Sequence, residues 1–413
     1  MDRGINRRTA LGMGLASGAV TLAGRAARAQ QPAEVKVALL APMSGPWARE
    51  GTLMRLGGEM AVDEINAAGG IGALGGAKMR LLVYDTGDSA EKAKNAAQRM
   101  VAQEPELVAG TGAWFSSFTL AATEVTERAA LPWMTFSYSD LITNRGFRYV
   151  FQTSMTADRM ASSVLPTILD MAEKATGARP TRVGIIADNG ASNVSFLKQV
   201  RGVELKRLDL AAVVDETFTP PLSDATTIVQ KLRSARPQFV LLLASNVPDT
   251  KLLLDKISEY GLGGGKLPLV GGGTNIGAPE LAKLVGNDML EGLLASQSDW
   301  PGKGQEELVA RFVKRTGEPW MTQDAYMTYA DMLIFKYALE HAGAADRHKV
   351  AEAIRAIDLR DGPALFYPGH HLRFDQVGRR MDAQLAIIQW QNGKVVTVHP
   401  EDIALAKPIW PKG

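Results

Sequence analysis

Val35-Lys-Val-Ala-Leu-Leu40 is a short apolar run. Residues 53–67 then carry Leu53, Leu56, Met60, Ala61 and Ile65 at helical spacing, ahead of a second run, Arg80-Leu-Leu-Val-Tyr-Asp85. A run too short for a buried helix, a 3.6-residue stripe and another short run make a strand–helix–strand unit. The alternation continues outward. Asp88 with Glu91 resembles a capping box and predicts a helix through about Gln103. Leu107-Val-Ala-Gly110 predicts a third strand. Phe118, Ala121, Ala122, Val125 and Ala129 form one helical stripe, and Trp133-Met-Thr-Phe136 follows Pro132 as a fourth strand. The pattern restarts near Arg182 with Val183–Ala187, Leu210–Val214, Phe239–Leu243 and Leu267–Val270. Such an order implies right-handed parallel βαβ units covered on both faces, and two runs imply an α/β fold of two doubly wound parallel-sheet lobes. Residues 149–158 join the runs as a candidate hinge. Helices are expected near 305–316, 323–342 and 347–357, and Asn392-Gly393 between Leu385–Trp390 and Lys394–Val398 predicts a closing hairpin.

The chain has 413 residues, 46% of them hydrophobic and none cysteine, so disulfides, thiolate metal sites and lipidation of an N-terminal cysteine are excluded. Residues 1–29 read as a cleaved export signal: Arg3, Arg7 and Arg8, an apolar stretch from Ala10 to Ala23, and Ala27-Arg28-Ala29 as the cleavage site. The Arg7-Arg8 pair with its weakly hydrophobic Gly/Ala core resembles a twin-arginine signal, with an ordinary secretory signal as the alternative. Removing the leader takes away five arginines and one aspartate and turns a net charge of +2 into −2. That balance speaks against nucleic acid or an acidic membrane surface as partner. The expected product is a soluble periplasmic protein.

No motif supports an enzyme. Gly70-Ile-Gly72-Ala-Leu-Gly75 matches the dinucleotide pattern, but a helix precedes it and a strand follows, the reverse of what a pyrophosphate site needs, so it predicts a turn and no cofactor. Gly271-Gly-Gly273 follows a strand without a P-loop lysine. Ser-x-x-Lys occurs twice on predicted helices, and the five histidines show no metal-ligand spacing. The informative positions are strand ends, because ligands of open α/β sheets bind outside the carboxyl edge. There the loops Ser44–Trp47, Thr111–Ser117 and Ser137–Ser139 collect hydroxyls and aromatics. Ser116 and Ser117 open a helix whose free amide N–H groups suit a carboxylate, although either serine can instead cap its own helix. Trp47, Trp114, Phe115 and Tyr138 fit a stacking wall.

Together, Val37–Pro46, Ala61–Gly70, Tyr84-Asp85, Ser116-Ser117, Leu131-Pro132, Thr143–Gly146, Val150–Thr153, Phe239-Val240, Gly271–Gly273, Glu291-Gly292 and Phe374-Asp375 resemble the periplasmic leucine/isoleucine/valine-binding proteins, the amino-acid-type receptors of ABC importers. The resemblance spans nearly the whole chain after the leader. It implies two lobes joined by three hinge segments, residues 30–153 with 299–370 and residues 154–298 with 371–413. It also implies a monomer that binds a small carboxylate-bearing ligand and delivers it to a membrane permease, with a ligand-sensing receptor of the same fold as the alternative. Carried onto matching positions, it implies ligand contacts at Trp47, Ser116, Ser117, Ser137 and Ser139. Trp114, Phe115 and Tyr138 join them from the same loops. In the second lobe the candidates are Asp188, Ser192, Asn246 and Gly273. The acid that pairs with a ligand ammonium in family members falls near Gly273, where this chain has none, leaving Asp188 or Asp249 to substitute.

Overall fold

A computed structural model of the chain describes residues 33–410, so the export-signal reading of residues 1–29 lies outside the described residues. The first lobe is built on β1 (Glu34–Ala41), α1 (Ala48–Ala67), β2 (Lys78–Asp85), α2 (Ala90–Gln103), β3 (Ala109–Gly112), α3 (Ser116–Arg128), β4 (Trp133–Thr135) and β5 (Val150–Gln152). Its parallel sheet has the order β2-β1-β3-β4-β5. β1 is apolar throughout because both its faces are covered. Val35, Val37 and Leu39 enter one core with α1, while Ala38 and Leu40 enter another with α2 and α3.

The second lobe contains α4 (Ala157–Thr176), β6 (Arg182–Asp188), α5 (Ala191–Gln199), β7 (Ala211–Phe218), α6 (Thr226–Ala235), β8 (Phe239–Leu243), α7 (Val247–Glu259), β9 (Leu269–Gly272), α8 (Pro279–Val285) and β10 (Leu294–Gln297). The chain then passes through α9 (Glu306–Thr316), α10 (Gln323–Ala342), α11 (Arg347–Arg355), β11 (Asp358–Leu359) and β12 (Leu372–Arg373). It ends in the hairpin β13 (Ala386–Gln391) and β14 (Lys394–His399). The second sheet runs β14-β13-β10-β9-β8-β6-β7, parallel except for the hairpin on its edge. Helices α9 to α11 bury in the first core. Gly57 of α1 lets α10 approach so closely that an added Cβ would lie 2.0 Å from the Ala325 carbonyl oxygen.

Three crossings connect the lobes, and they bond to one another. The Gln152 N–H donates to the Gly378 carbonyl at 2.7 Å, and the Arg380 N–H returns to the Gln152 carbonyl at 2.9 Å. The Met155 N–H donates to Ser298 Oγ at 2.7 Å. Asp299 and Arg380, both fully buried, pair at 2.8 Å. Leu372 and Phe374 bury in the first core.

Local expectations shift at element ends. Ser89, not Asp88, caps α2 by accepting the Lys92 N–H, while Asp88 pairs with the Lys92 ammonium at 2.7 Å. The third strand starts two residues late because Leu107 closes a turn onto the Glu104 carbonyl. Gly70 and Gly75, at φ +75° and +70°, make the passage from α1 to β2. No helix among the described residues is long and apolar enough to cross a membrane.

Candidate functional site

β3 ends at Gly112, and the loop to α3 turns through Trp114 at φ +67°, a left-handed conformation that costs a non-glycine residue about 1–3 kcal/mol. The neighbours over-determine it. The Trp114 carbonyl accepts the Ser137 hydroxyl at 2.7 Å, and its indole N–H donates to Asp324 Oδ1 at 2.8 Å. α3 begins immediately afterwards. Its first hydrogen bonds run from the Phe118 and Thr119 N–H groups to the Phe115 carbonyl, both at 2.9 Å, so the Ser116 and Ser117 amides precede the helical ladder. Ser116 Oγ accepts the Ser139 N–H at 3.2 Å.

The other lobe faces this corner. Ser192, Asn193 and Phe196 come from α5, Ser245 follows β8, Gly273 to Asn275 follow β9, and Ala157 and Met160 stand on the first turn of α4. Between the lobes lies a cleft of about 690 Å³, solvent at its mouth included. Phe136, Tyr138 and Gln323 complete its first-lobe wall. Gln323 Nε2 donates to the Tyr138 hydroxyl at 2.6 Å, tying the first turn of α10 to the loop after β4.

Of the expected residues, Trp114, Phe115, Ser116, Ser137, Tyr138, Ser192 and Gly273 share this lining. The others lie off it. Trp47 stands behind, stacked on Phe115 with ring centroids 5.4 Å apart. Ser117 points a helical step away from Ser116 and is half-buried. Ser139 spends its hydroxyl on Ser195 of the opposite lobe at 3.0 Å. Asp188 accepts the Gly190 N–H at 2.8 Å, Asn193 Nδ2 at 2.8 Å and the Ser245 N–H at 2.6 Å, and so fixes the second-lobe loops. Asn246 caps α7 through the Asp249 N–H at 2.8 Å. Sequence reasoning missed Ser245, Thr274 and Ser296, which the strand-end rule applied to the second sheet would have found. It also missed Met160, and Gln323, which no local pattern marks.

Among the described residues lining the cleft, none is Asp, Glu, Lys, Arg or His, and no group of acids and histidines among the described residues has metal-binding geometry. The nearby charges are buried behind the walls. Burial pushes the Asp324 carboxyl up to about 7 and that of Glu50 up to about 8, so both are held towards their neutral forms. Arg49, on α1, reaches Glu280 of the second lobe at 2.8 Å and also pairs with Glu318.

Two α/β layers, three hydrogen-bonded crossings and an intervening cleft define a two-lobed binding protein of the type I periplasmic class. Residues 34–394 match the sequence model of the periplasmic binding protein family, and the chain belongs to that family. Among curated relatives, Leu/Ile/Val-binding protein homolog 8 of Brucella melitensis is 28% identical over 388 residues, 91% of this chain and 93% of the relative. Among solved structures, a leucine-binding protein of Thermotoga maritima superposes with a TM-score of 0.74 at 21% identity, covering 89% of this chain and all of that one. A solute-binding protein of Rhodopseudomonas palustris in complex with 3,4-dihydroxybenzoic acid gives 0.73 at 18%, covering 88% and 95%.

Proposed function

We propose that the protein is the solute-binding component of an ABC importer. In this reading it works as a soluble periplasmic monomer, captures a small carboxylate-bearing molecule by closure of its lobes without covalent chemistry, and presents the closed form to a permease. The observation that carries the reading is the interlobe cleft onto which α3 opens with the Ser116 and Ser117 amides and the buried Ser116 hydroxyl. A helix start favours an anion through its partial positive charge. The relatives named for leucine, isoleucine and valine support the same class of ligand.

Magnitudes divide the work between the lobes. Shifting a population from mostly open to mostly closed needs about 5.5 kcal/mol of differential affinity. A carboxylate at a partly buried helix end supplies up to about 2 kcal/mol. The remainder falls to apolar burial and to second-lobe contacts that form only on closure.

Thermal melting and solution scattering of the protein with a panel of amino acids, aromatic acids and amides test the reading. At least one acid raises the melting temperature by several degrees and shrinks the radius of gyration. If no member of the panel does either, the transport reading fails.

A further inference from the structure

We infer that the ligand is an aromatic carboxylic acid without an ammonium group. This rests on the proposed solute-binding reading and narrows its ligand class.

An α-amino acid brings a positive charge that needs a counter-charge once the lobes enclose it. Burying an unpaired ammonium costs several kcal/mol. The cleft lining contains no acidic side chain to meet it. The nearby acids lie off the lining and bond to protein donors. Asp188 accepts three protein donors on its two oxygens. Asp249 accepts the Leu222 N–H at 2.8 Å and Asn246 Nδ2 at 2.7 Å. Asp324 accepts the Trp114 indole and is fully buried behind it.

A carboxylate meets the opposite situation. The opening amides of α3 and the Ser116 side chain, 4% exposed, stand on the first-lobe wall. Across the cleft, Thr274 is 6% exposed and lines the same space, its hydroxyl beside the Asp324 carboxyl. Aromatic rings stand on both sides among neutral polar groups such as Ser192, Asn193, Ser245 and Gln323: Trp114, Phe115, Phe136 and Tyr138 come from the first lobe, Phe196 beside Met160 from the second. Rings on two sides favour a flat apolar body over a branched aliphatic one.

The test is calorimetric titration of the whole exported protein with two pairs that differ only in the amino group, 3-phenylpropanoate against L-phenylalanine and 4-methylpentanoate against L-leucine. The expected result is that each acid binds at least about 100-fold more tightly than its amino counterpart, with 3-phenylpropanoate the tighter of the two acids. If either amino acid equals or exceeds its deaminated partner, or the aliphatic acid binds better than the aromatic one, the inference is overturned while the solute-binding reading stands. If no carboxylate in either pair or in the wider panel binds, both fall together.

Discussion

Asp331 shows how a single residue of this protein titrates with folding. It is fully buried on α10, accepts the Thr111 hydroxyl at 2.5 Å on one oxygen and leaves the other without a partner. Burial pushes its carboxyl up to about 8, whereas an unfolded aspartate ionises near 4. Between those values the folded chain holds a proton that the unfolded chain has lost. The stabilisation is therefore complete below about pH 4 and is lost as the pH rises towards 8. Asparagine keeps the bond from Thr111 and does not titrate. Asp331→Asn is expected to melt near the wild type at pH 5 and about 2–5 °C above it at pH 8.5. Parallel melting curves across that range would show that this carboxyl does not titrate with folding. At this scale the first-lobe wall was legible, because Trp114, Phe115, Ser116 and Tyr138 sit in polar loops just past strand ends. Asp188 and Ser139 occupy equally suggestive positions, but their polar atoms are taken by Gly190, Asn193, Ser245 and Ser195, which only the folded chain brings near.

Elements carry those residues, and α10 is the one whose packing partner periodicity alone does not give, although the family resemblance assigned it to the first lobe. Its buried residues run around the whole helix, so periodicity identifies a helix without saying what it packs against. Its place is set by α1, where Gly57 has no side chain to hold the Ala325 backbone away. That contact brings Gln323 to the cleft from a position far along the chain from Tyr138. Gly57→Ala forces a clash with backbone, a change that costs about 1–3 kcal/mol or more. The variant is expected to melt several degrees lower and to bind the ligand more weakly as Gln323 shifts. Gly202→Ala, where an added Cβ meets nothing, serves as the control that leaves both unchanged. Equal behaviour of the two variants in differential scanning fluorimetry would remove Gly57 from this account. The strands that were expected lay within a few residues of their runs, since a fully covered strand is a short apolar run, whereas β5, β10, β11 and β12 were not read as strands. What moved were ends, where the Ser89 cap and the Glu104 turn compete with equally plausible neighbours.

For the whole molecule, the two lobes touch across the cleft through Ser139 with Ser195 and through Arg49 with Glu280. The ion pair is partly exposed, and such pairs contribute about 0–1 kcal/mol. The two-lobed architecture was legible because the strand–helix alternation restarts near Arg182. Residues 371–380 carry no periodic signal and are held by pairing with β5 and β11. The central claim is that an acid bridges the lobes with its negative end at the start of α3. A crystal structure of the protein with 3-phenylpropanoate tests it most directly. The account predicts carboxylate oxygens within about 2.7–3.2 Å of the Ser116 or Ser117 amide nitrogen and the ring between Phe115 and Phe196. A carboxylate turned to solvent, or a ligand bound away from the α3 start, would contradict it.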